Sequence, residues 1–424
     1  MRPSPRNLLL LFTCFMMIAC NPTEESNIPG STSTPNRYDR LKPPSSTALP
    51  TFQSTLPIVP PVPTVIVPTA IAADLADIWG KQINIIRIPM MTGQSYRLGP
   101  NAVTPDGKYL VCVSFPPHLL DDPSQPAKVV LVDLGTLKIT EIRDAPLNGS
   151  QPYEASADDN WIVWTEAPQE PGFFSDWVIY AYNRNDHSIK EVGKAPRRKL
   201  DSSLPVRGPD GTAQLDHGIV VWSEGSPDIE EPVTAIVKSM DLATGKVEVL
   251  TQNGLIPRIS WPYIAWAERQ EEPSTQITGP NKGVIVVLDL RTGTRKKLLG
   301  PDTPKHFAIH NGLIAWVTAQ GKEVLLTDVD ETFRQTIAYA SGDDIFEHPS
   351  LNDRLVTWQA NSRPQVWDQA QKRLVTLEND RVFTYFISRD RLVWLSPIPG
   401  GDPNAPGASE SRTINVLDTT QLRK

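Results

Sequence analysis

Cysteine is scarce in this sequence: three in 424 residues, at positions 14, 20 and 112. Two of them lie in and at the end of an apolar N-terminal run, so the body of the chain holds a single thiol and no internal disulfide can brace it. Cys112 falls inside Leu110-Val-Cys-Val113, the setting of an inert buried thiol rather than a nucleophile. Histidine is rare as well. The six residues His118, His187, His217, His306, His310 and His348 are scattered, and neither His-Glu-x-x-His nor a paired-Cys zinc pattern occurs. His306 and His310 are four apart, but in a strand-and-turn stretch that spacing does not place both on one helical face. A Gly-x-Ser-x-Gly elbow is missing, as is a calcium loop of alternating acids with its required glycine. Lys and Arg number 41 against 48 Asp and Glu, a net charge of −7. Such a chain lacks the basic patches that nucleic acid or anionic headgroups demand. No catalytic residue, cofactor or metal is expected.

The N-terminus, in contrast, is rich in information. Arg2 and Arg6 precede twelve apolar residues from Leu8 to Ala19. That run is too short to span a bilayer of about 30 Å and suits the core of a signal peptide over 1–19. It ends Met17-Ile-Ala-Cys20, which resembles the bacterial lipobox. The resemblance implies that Cys20 is lipidated and becomes the first residue of an exported protein held on the membrane face outside the cytoplasm. Residues 21–69 then carry eleven Pro and fourteen Ser or Thr. A segment so poor in large apolar residues cannot offset its ordering entropy, so 20–75 reads as a disordered linker. Fully extended at ~3.1 Å per residue, it could hold a body roughly 150 Å from the bilayer.

From residue 76 the chain repeats itself. One strand word recurs as Tyr109-Leu-Val-Cys-Val-Ser, Trp161-Ile-Val-Trp-Thr-Glu, Ile219-Val-Val-Trp-Ser-Glu and Tyr263-Ile-Ala-Trp-Ala-Glu. It continues as Leu313-Ile-Ala-Trp-Val-Thr, Leu355-Val-Thr-Trp-Gln-Ala and Arg391-Leu-Val-Trp-Leu-Ser. Trp164, Trp222, Trp266, Trp316, Trp358 and Trp394 share one position, which Cys112 takes in the first unit. A following word ends each time in a short acceptor: Asp133, Asn183, Asp241, Asp289, Asp328, Asp368 and Asp418. Such a side chain bonding the turn backbone closes a hairpin, so these residues read as turn chemistry rather than a ring of metal ligands.

Units of 36–58 residues, each with four short strands, are the signature of an all-β fold, a β-propeller over 76–424. Seven blades are expected, with six or eight as alternatives. Each indole would bury on the order of 200 Å² between blades, at most about 5 kcal/mol. Residues 83–98 match a third and fourth strand around the turn Met90-Met-Thr-Gly93, and an N-terminal strand is expected to complete the last blade. Leu75-Ala-Asp-Ile-Trp79 is the element that could make an eighth unit. Thr104-Pro-Asp-Gly-Lys108 resembles the turn of TolB-like, WD-repeat-like propellers and of the propeller domains of prolyl oligopeptidase-type peptidases; it carries no catalytic group. Asp241-Leu-Ala-Thr-Gly-Lys246 is similar to a motif of quinoprotein-like propellers, including outer-membrane assembly lipoproteins, but lacks the Trp that follows it there.

If the strands of a unit run A to D outward, the B–C and D–A segments share one face. The B–C segments 115–127, 167–176, 225–233, 269–283 and 397–412 are long, with net charges −2, −2, −3, 0 and −1. The D–A segment 194–211 opposes them at +3. Binding tends to live on such loops. The expected rim comprises Phe173, Phe174 and Trp177, the acids Asp228, Glu230 and Glu231, and the bases Arg197 and Arg198. Its expected partner is a protein, peptide or glycan, with the membrane engaged only through the lipid. A propeller enzyme with a polar axial site, hydrolase, lyase or quinoprotein-like, is the alternative, and a structural subunit of an envelope assembly complex a third.

Overall fold

The computed structural model describes residues 70–71, 79–80, 83–90, 97–116, 126–144, 150–168, 176–198, 213–225, 227, 235–269, 283–299, 304, 306–361, 363–377, 385–397 and 412–422. The signal segment, Cys20 and most of the linker lie outside them. The fold is a seven-bladed β-propeller whose blades are four-stranded antiparallel sheets. Counting strands A to D within each, blade 1 is Arg97–Val103, Tyr109–Phe115, Lys128–Asp133 and Ile139–Asp144. Blade 2 is Ser150–Ala157, Trp161–Pro168, Val178–Asn183 and Ile189–Lys194; blade 3 is Gln214–Asp216, Ile219–Gly225, Ala235–Asp241 and Val247–Thr251. Blade 4 is Leu255–Ser260, Tyr263–Arg269, Gly283–Asp289 and Thr294–Leu299; blade 5 is His306–His310, Leu313–Val317, Glu323–Asp328 and Arg334–Tyr339. Blade 6 is Phe346–Leu351, Leu355–Ala360, Arg363–Asp368 and Arg373–Thr376. Blade 7 takes Tyr385–Ser388, Arg391–Pro397 and Arg412–Asp418 from the C-terminal part of the chain and its outermost strand, Ile85–Pro89, from the N-terminal part.

The recurrent words thus fall on strands B and C of all seven blades, and the expected N-terminal closure is present. Two details differ from expectation. Ile85–Pro89 and Arg97–Val103 do not pair as a hairpin: the first ends blade 7 and the second begins blade 1. Trp79 does not belong to an eighth blade; it is buried among Leu355, Val375, Leu392 and Trp394 of blades 6 and 7. Its indole donates to Asp368 Oδ2 at 3.0 Å. Ahead of it, Ala70–Ile71 adds in parallel to the outer strand of blade 6. The N-terminal segment therefore touches blade 6, the junction and blade 7 in turn, covering part of two outer edges that would otherwise be open.

Among the described residues the core divides into seven clusters, each shared by two adjacent blades. Every B-strand Trp packs on the blade before it. Trp164 meets Val129 and Leu131, Trp222 meets Ile179 and Ala181, and Trp266 meets Val237 and Leu250. Trp316 meets Ile285 and Val287, Trp358 meets Val324 and Leu326, and Trp394 meets Val366 and Val375. Cys112 fills the same place against Val393 and Ile414, and burial pushes its thiol far up from ionisation. Gly254 makes room for one of these indoles: a Cβ there would sit 2.7 Å from Trp266 Cδ1 and 2.8 Å from Val237 Cγ2.

The C-strand acids act as turn caps. Asp133 Oδ1 accepts from the amides of Gly135 and Thr136, Asp241 Oδ1 from Ala243 and Thr244, and Asp368 Oδ1 from Ala370 and Gln371. Asn183, Asp289, Asp328 and Asp418 do the same in their own turns.

The six indoles divide by their N–H groups. In blades 2 to 4 the residue two positions on is Glu, and Trp164, Trp222 and Trp266 donate to Glu166, Glu224 and Glu268 at 2.9, 3.1 and 2.9 Å. Glu166 also accepts from Arg143 of blade 1 at 3.0 Å, and burial still raises its pKa. In blades 5 to 7 that position is Thr318, Ala360 or Ser396, and the buried indole nitrogens have no partner among the described residues. Trp164→Phe leaves Glu166 short of a donor, whereas Trp316→Phe relieves an orphaned one. Urea unfolding is expected to show Trp164→Phe costing about 1–2 kcal/mol more than Trp316→Phe, at unchanged m-value.

Candidate functional site

Successive A strands touch one another around the ring, so they form its inner wall. Four of the seven are not regular. Their pairing with strand B slips between Pro100 and Ala102 in blade 1, Tyr153 and Ala155 in blade 2, Leu255 and Arg258 in blade 4, and Glu347 and Ser350 in blade 6. All four bulges lie at the level of the B-strand ladder residue, Cys112, Trp164, Trp266 or Trp358. Each adjoins a proline: Pro100, Pro152, Pro257 or Pro349. Proline cannot donate to the ladder and is confined within sheets to edges and bulges, so this part of the site has a local sequence cause. Three bulges hold a non-glycine residue at positive φ, Glu154 at 21°, Ile256 at 53° and His348 at 48°. For the β-branched Ile256 that conformation is a true outlier, of the kind that collects at ligand sites.

Glu154 and His348 are exposed although they lie mid-strand on the innermost strands. Both faces of each blade are covered by its neighbours, so the solvent they meet is an axial lumen. The layer at this level also brings in His306, whose ring stands 4.4 Å from that of His348. Tyr385 of blade 7 stands at the same level, paired with Trp394, with its ring packed in the core between blades 6 and 7; its hydroxyl is buried without a partner among the described residues. Burial, helped by the Glu347 carboxylate, raises its pKa well above the ordinary value. Arg258 lies one residue below the blade 4 bulge. Burial pulls its pKa down and the Glu154 carboxylate of blade 2 opposes this.

Where strands A turn into strands B, the ring is tied across and around. Arg389 of blade 7 reaches over the axis to pair with Asp216 Oδ1 of blade 3. Asp216 is 2% exposed and also accepts from the Trp261 amide of blade 4 at 2.7 Å and pairs with His217 Nδ1 at 2.7 Å. Burial pushes this carboxyl up, but Arg389 and the amide outweigh it, so the net displacement is downward. The same pattern runs to the neighbours: Asp158 Oδ2 accepts from Gly218 N, and Ser260 Oγ from Asn311 N. Ser388 Oγ of blade 7 bonds both backbone groups of Val103 in blade 1. Near the Arg389–Asp216 bar, His310 Nε2 stands 3.5 Å from Asp353. His217 stacks on Trp261, which is 37% exposed.

The two faces of the ring differ in their connections. A–B and C–D turns are two to five residues long. The B–C connections run to 12, 9, 9, 13 and 14 residues in blades 1, 2, 3, 4 and 7, and 19 residues join blades 2 and 3. Of the expected rim, Phe173, Phe174, Asp228, Glu230 and Glu231 lie outside the described residues. Trp177 is 0% exposed, packed among Val163, Ile179 and Trp222, so its indole serves the junction of blades 2 and 3 and not a surface. Arg197 is half exposed and pairs with Asp176 at 2.7 Å across the base of the B–C segment; Arg198 follows it on the same D–A segment.

No known family matches this sequence, and no curated protein matches it. Solved structures do. The β-propeller domain of the Trilobed protease from Pyrococcus furiosus is similar at 11% identity, over 76% of this chain and 93% of that one, with a TM-score of 0.52. A prolyl endopeptidase structure is similar at 9% identity, over 77% of this chain and 48% of that one, with a TM-score of 0.51. TolB from Acinetobacter baumannii matches at 17% identity with a TM-score of 0.35, over 57% of this chain and 55% of its own. The chain thus spans about half the length of that TolB structure, and the likeness to all three concerns the fold.

His310 gives the axial network a pH dependence of definite sign. Burial lowers its pKa from 6.5; Arg389 acts in the same direction, and Asp353, Asp390 and Asp216 oppose it. The unfolded chain therefore takes up the proton first. Its contribution to stability is complete above 6.5 and declines as the pH falls from there through the folded value. Denaturation midpoints measured at about pH 7 and about pH 5.5 are expected to differ less in His310→Gln than in the unaltered protein.

Proposed function

We propose that this protein is a lipid-anchored propeller outside the cytoplasm that binds a protein, peptide or glycan partner through its B–C and D–A face, without catalysis. The observation that carries the reading is the inequality of the two faces. One is closed by short capped turns, while the other bears all the long connections on a scaffold of seven interlocked blades. Rigid sheets that present variable loops on one side are a recurrent basis of recognition. The long B–C segments are acidic and are broken by one basic sector around Arg197 and Arg198. That arrangement gives a partner both an electrostatic register and a preferred orientation. The anchor follows from the lipobox-like Met17-Ile-Ala-Cys20 and the Pro-, Ser- and Thr-rich linker behind it. The linker would let the face search a volume above the membrane.

Two measurements test this. Cys20→Ser is expected to move the protein from the membrane to the soluble fraction and to abolish incorporation of labelled fatty acid. An unchanged distribution would remove the anchor. Envelope pull-downs with the 269–283 and 397–412 segments shortened are expected to lose specific partners that the full chain retains. Identical partner profiles in the two proteins would remove the rim.

A further inference from the structure

The inner wall holds one feature that the binding face does not explain. Arg258 sits on the innermost strand of blade 4, half-buried, and its one hydrogen bond among the described residues is from Nη1 to the Pro257 carbonyl oxygen at 3.1 Å. The carboxylate that acts on it electrostatically, Glu154, comes from blade 2, and the two form no ion pair among the described residues. Three other confined arginines are matched by carboxylates: Arg143 with Glu166, Arg354 with Asp368, and Arg389 with Asp216. A confined guanidinium cannot escape its cost by losing a proton, as a lysine or histidine can. It needs an acceptor.

We propose that the axial lumen binds a small carboxylate, seated on the Arg258 guanidinium and enclosed by Asn101 of blade 1, Glu154 of blade 2, His306 of blade 5, His348 of blade 6 and Tyr385 of blade 7. Strand register sets these residues at the level of the B-strand ladder residue or one position to either side of it. Two of them hold buried polar atoms without a partner among the described residues, Asn101 Oδ1 and the Tyr385 hydroxyl. Three of the strands in the layer carry the positive-φ bulges, a distortion that packing between blades does not require, because blades 3, 5 and 7 pack without one. A carboxylate would accept two parallel bonds from the guanidinium fork. The Glu154 carboxylate across the lumen repels the ligand's negative charge and so holds its affinity down, while its oxygens accept from a ligand hydroxyl group. The Arg389–Asp216 bar crosses the axis at the A–B end, so the ligand would enter from the face with the long connections. The site stands on the inner wall alone and does not depend on the rim reading.

Calorimetric titration of the folded protein at low ionic strength with L-malate, and separately with inorganic phosphate, tests the proposal. L-malate is expected to bind saturably at one site, about tenfold more weakly in Arg258→Gln and several-fold more tightly in Glu154→Gln, where a like charge is removed. Lys246→Gln, in the exposed C–D turn of blade 3, should leave it unchanged. No saturation by L-malate, or saturation by phosphate alone, would overturn the carboxylate assignment. So would equal affinity in Arg258→Gln, or loss of binding in Lys246→Gln. Where Arg258→Gln fails to fold, Glu154→Gln decides, and unaltered affinity there overturns the site.

Discussion

The structure depends on one interaction repeated around a circle: a side chain on the second strand of each blade, an indole in six of the seven, wedged against the sheet before it. No blade has a core of its own. Each of the seven clusters draws its residues from two adjacent blades, so a single four-stranded sheet removed from its neighbours would expose both faces. Stability is therefore a property of the closed ring, and closure falls on blade 7, built from both ends of the folded body. The segment from Ala70 to Pro89 reinforces that junction three times, by a parallel edge pair, by the buried Trp79 and by the outermost strand. The wedge in the first blade is a cysteine, and there the smaller side chain is met by Leu98, Leu110 and Ile414.

Because strands B and C carry so much of the packing between blades, the innermost strands are released from regular geometry. Three of them run straight and four are bulged, and the bulges place charged and polar residues on an inner wall that shape alone would leave smooth. The polar groups at the A–B end follow a different logic. There Asp158, Asp216 and Ser260 each accept the amide of the next blade's turn, so the same positions that end the strands also bind neighbours together. Electrostatics at that end is structural and internally matched. In the layer above it, Arg258 has no ion-pair partner among the described residues, and that contrast is what motivates the proposed carboxylate site.

The two faces differ along the axis as well. The face with short turns carries the ties between neighbouring blades. The opposite face carries the long B–C connections, whose lengths differ from blade to blade while the wedges and the caps recur. A likeness of about one residue in ten to propellers of proteases says the same thing from outside: the ring persists while the residues on it change.

The local parts of this architecture were legible in the sequence. Alternating β-branched words, the tryptophan ladder and the capping acids are each set by residues within a few positions of one another, and every one of those strands and caps is found. Trp177 shows the limit: flanked by Asp176 and near two phenylalanines it resembles an exposed aromatic, yet just ahead of strand C of blade 2 it is buried in one cluster with Trp222. The prolines of the four inner strands were a visible signal of bulges that strand propensity alone passes over. The amino-acid order determined the strands, the turns and the number of wedges, because these depend on side-chain period and backbone preference. Only the closed ring decided that Arg389 meets Asp216, 173 residues away, that Trp79 donates to Asp368, and that Arg258 of blade 4 feels the carboxylate of Glu154 in blade 2. Those relations come from curvature accumulated over seven packed sheets, which no short stretch of sequence contains.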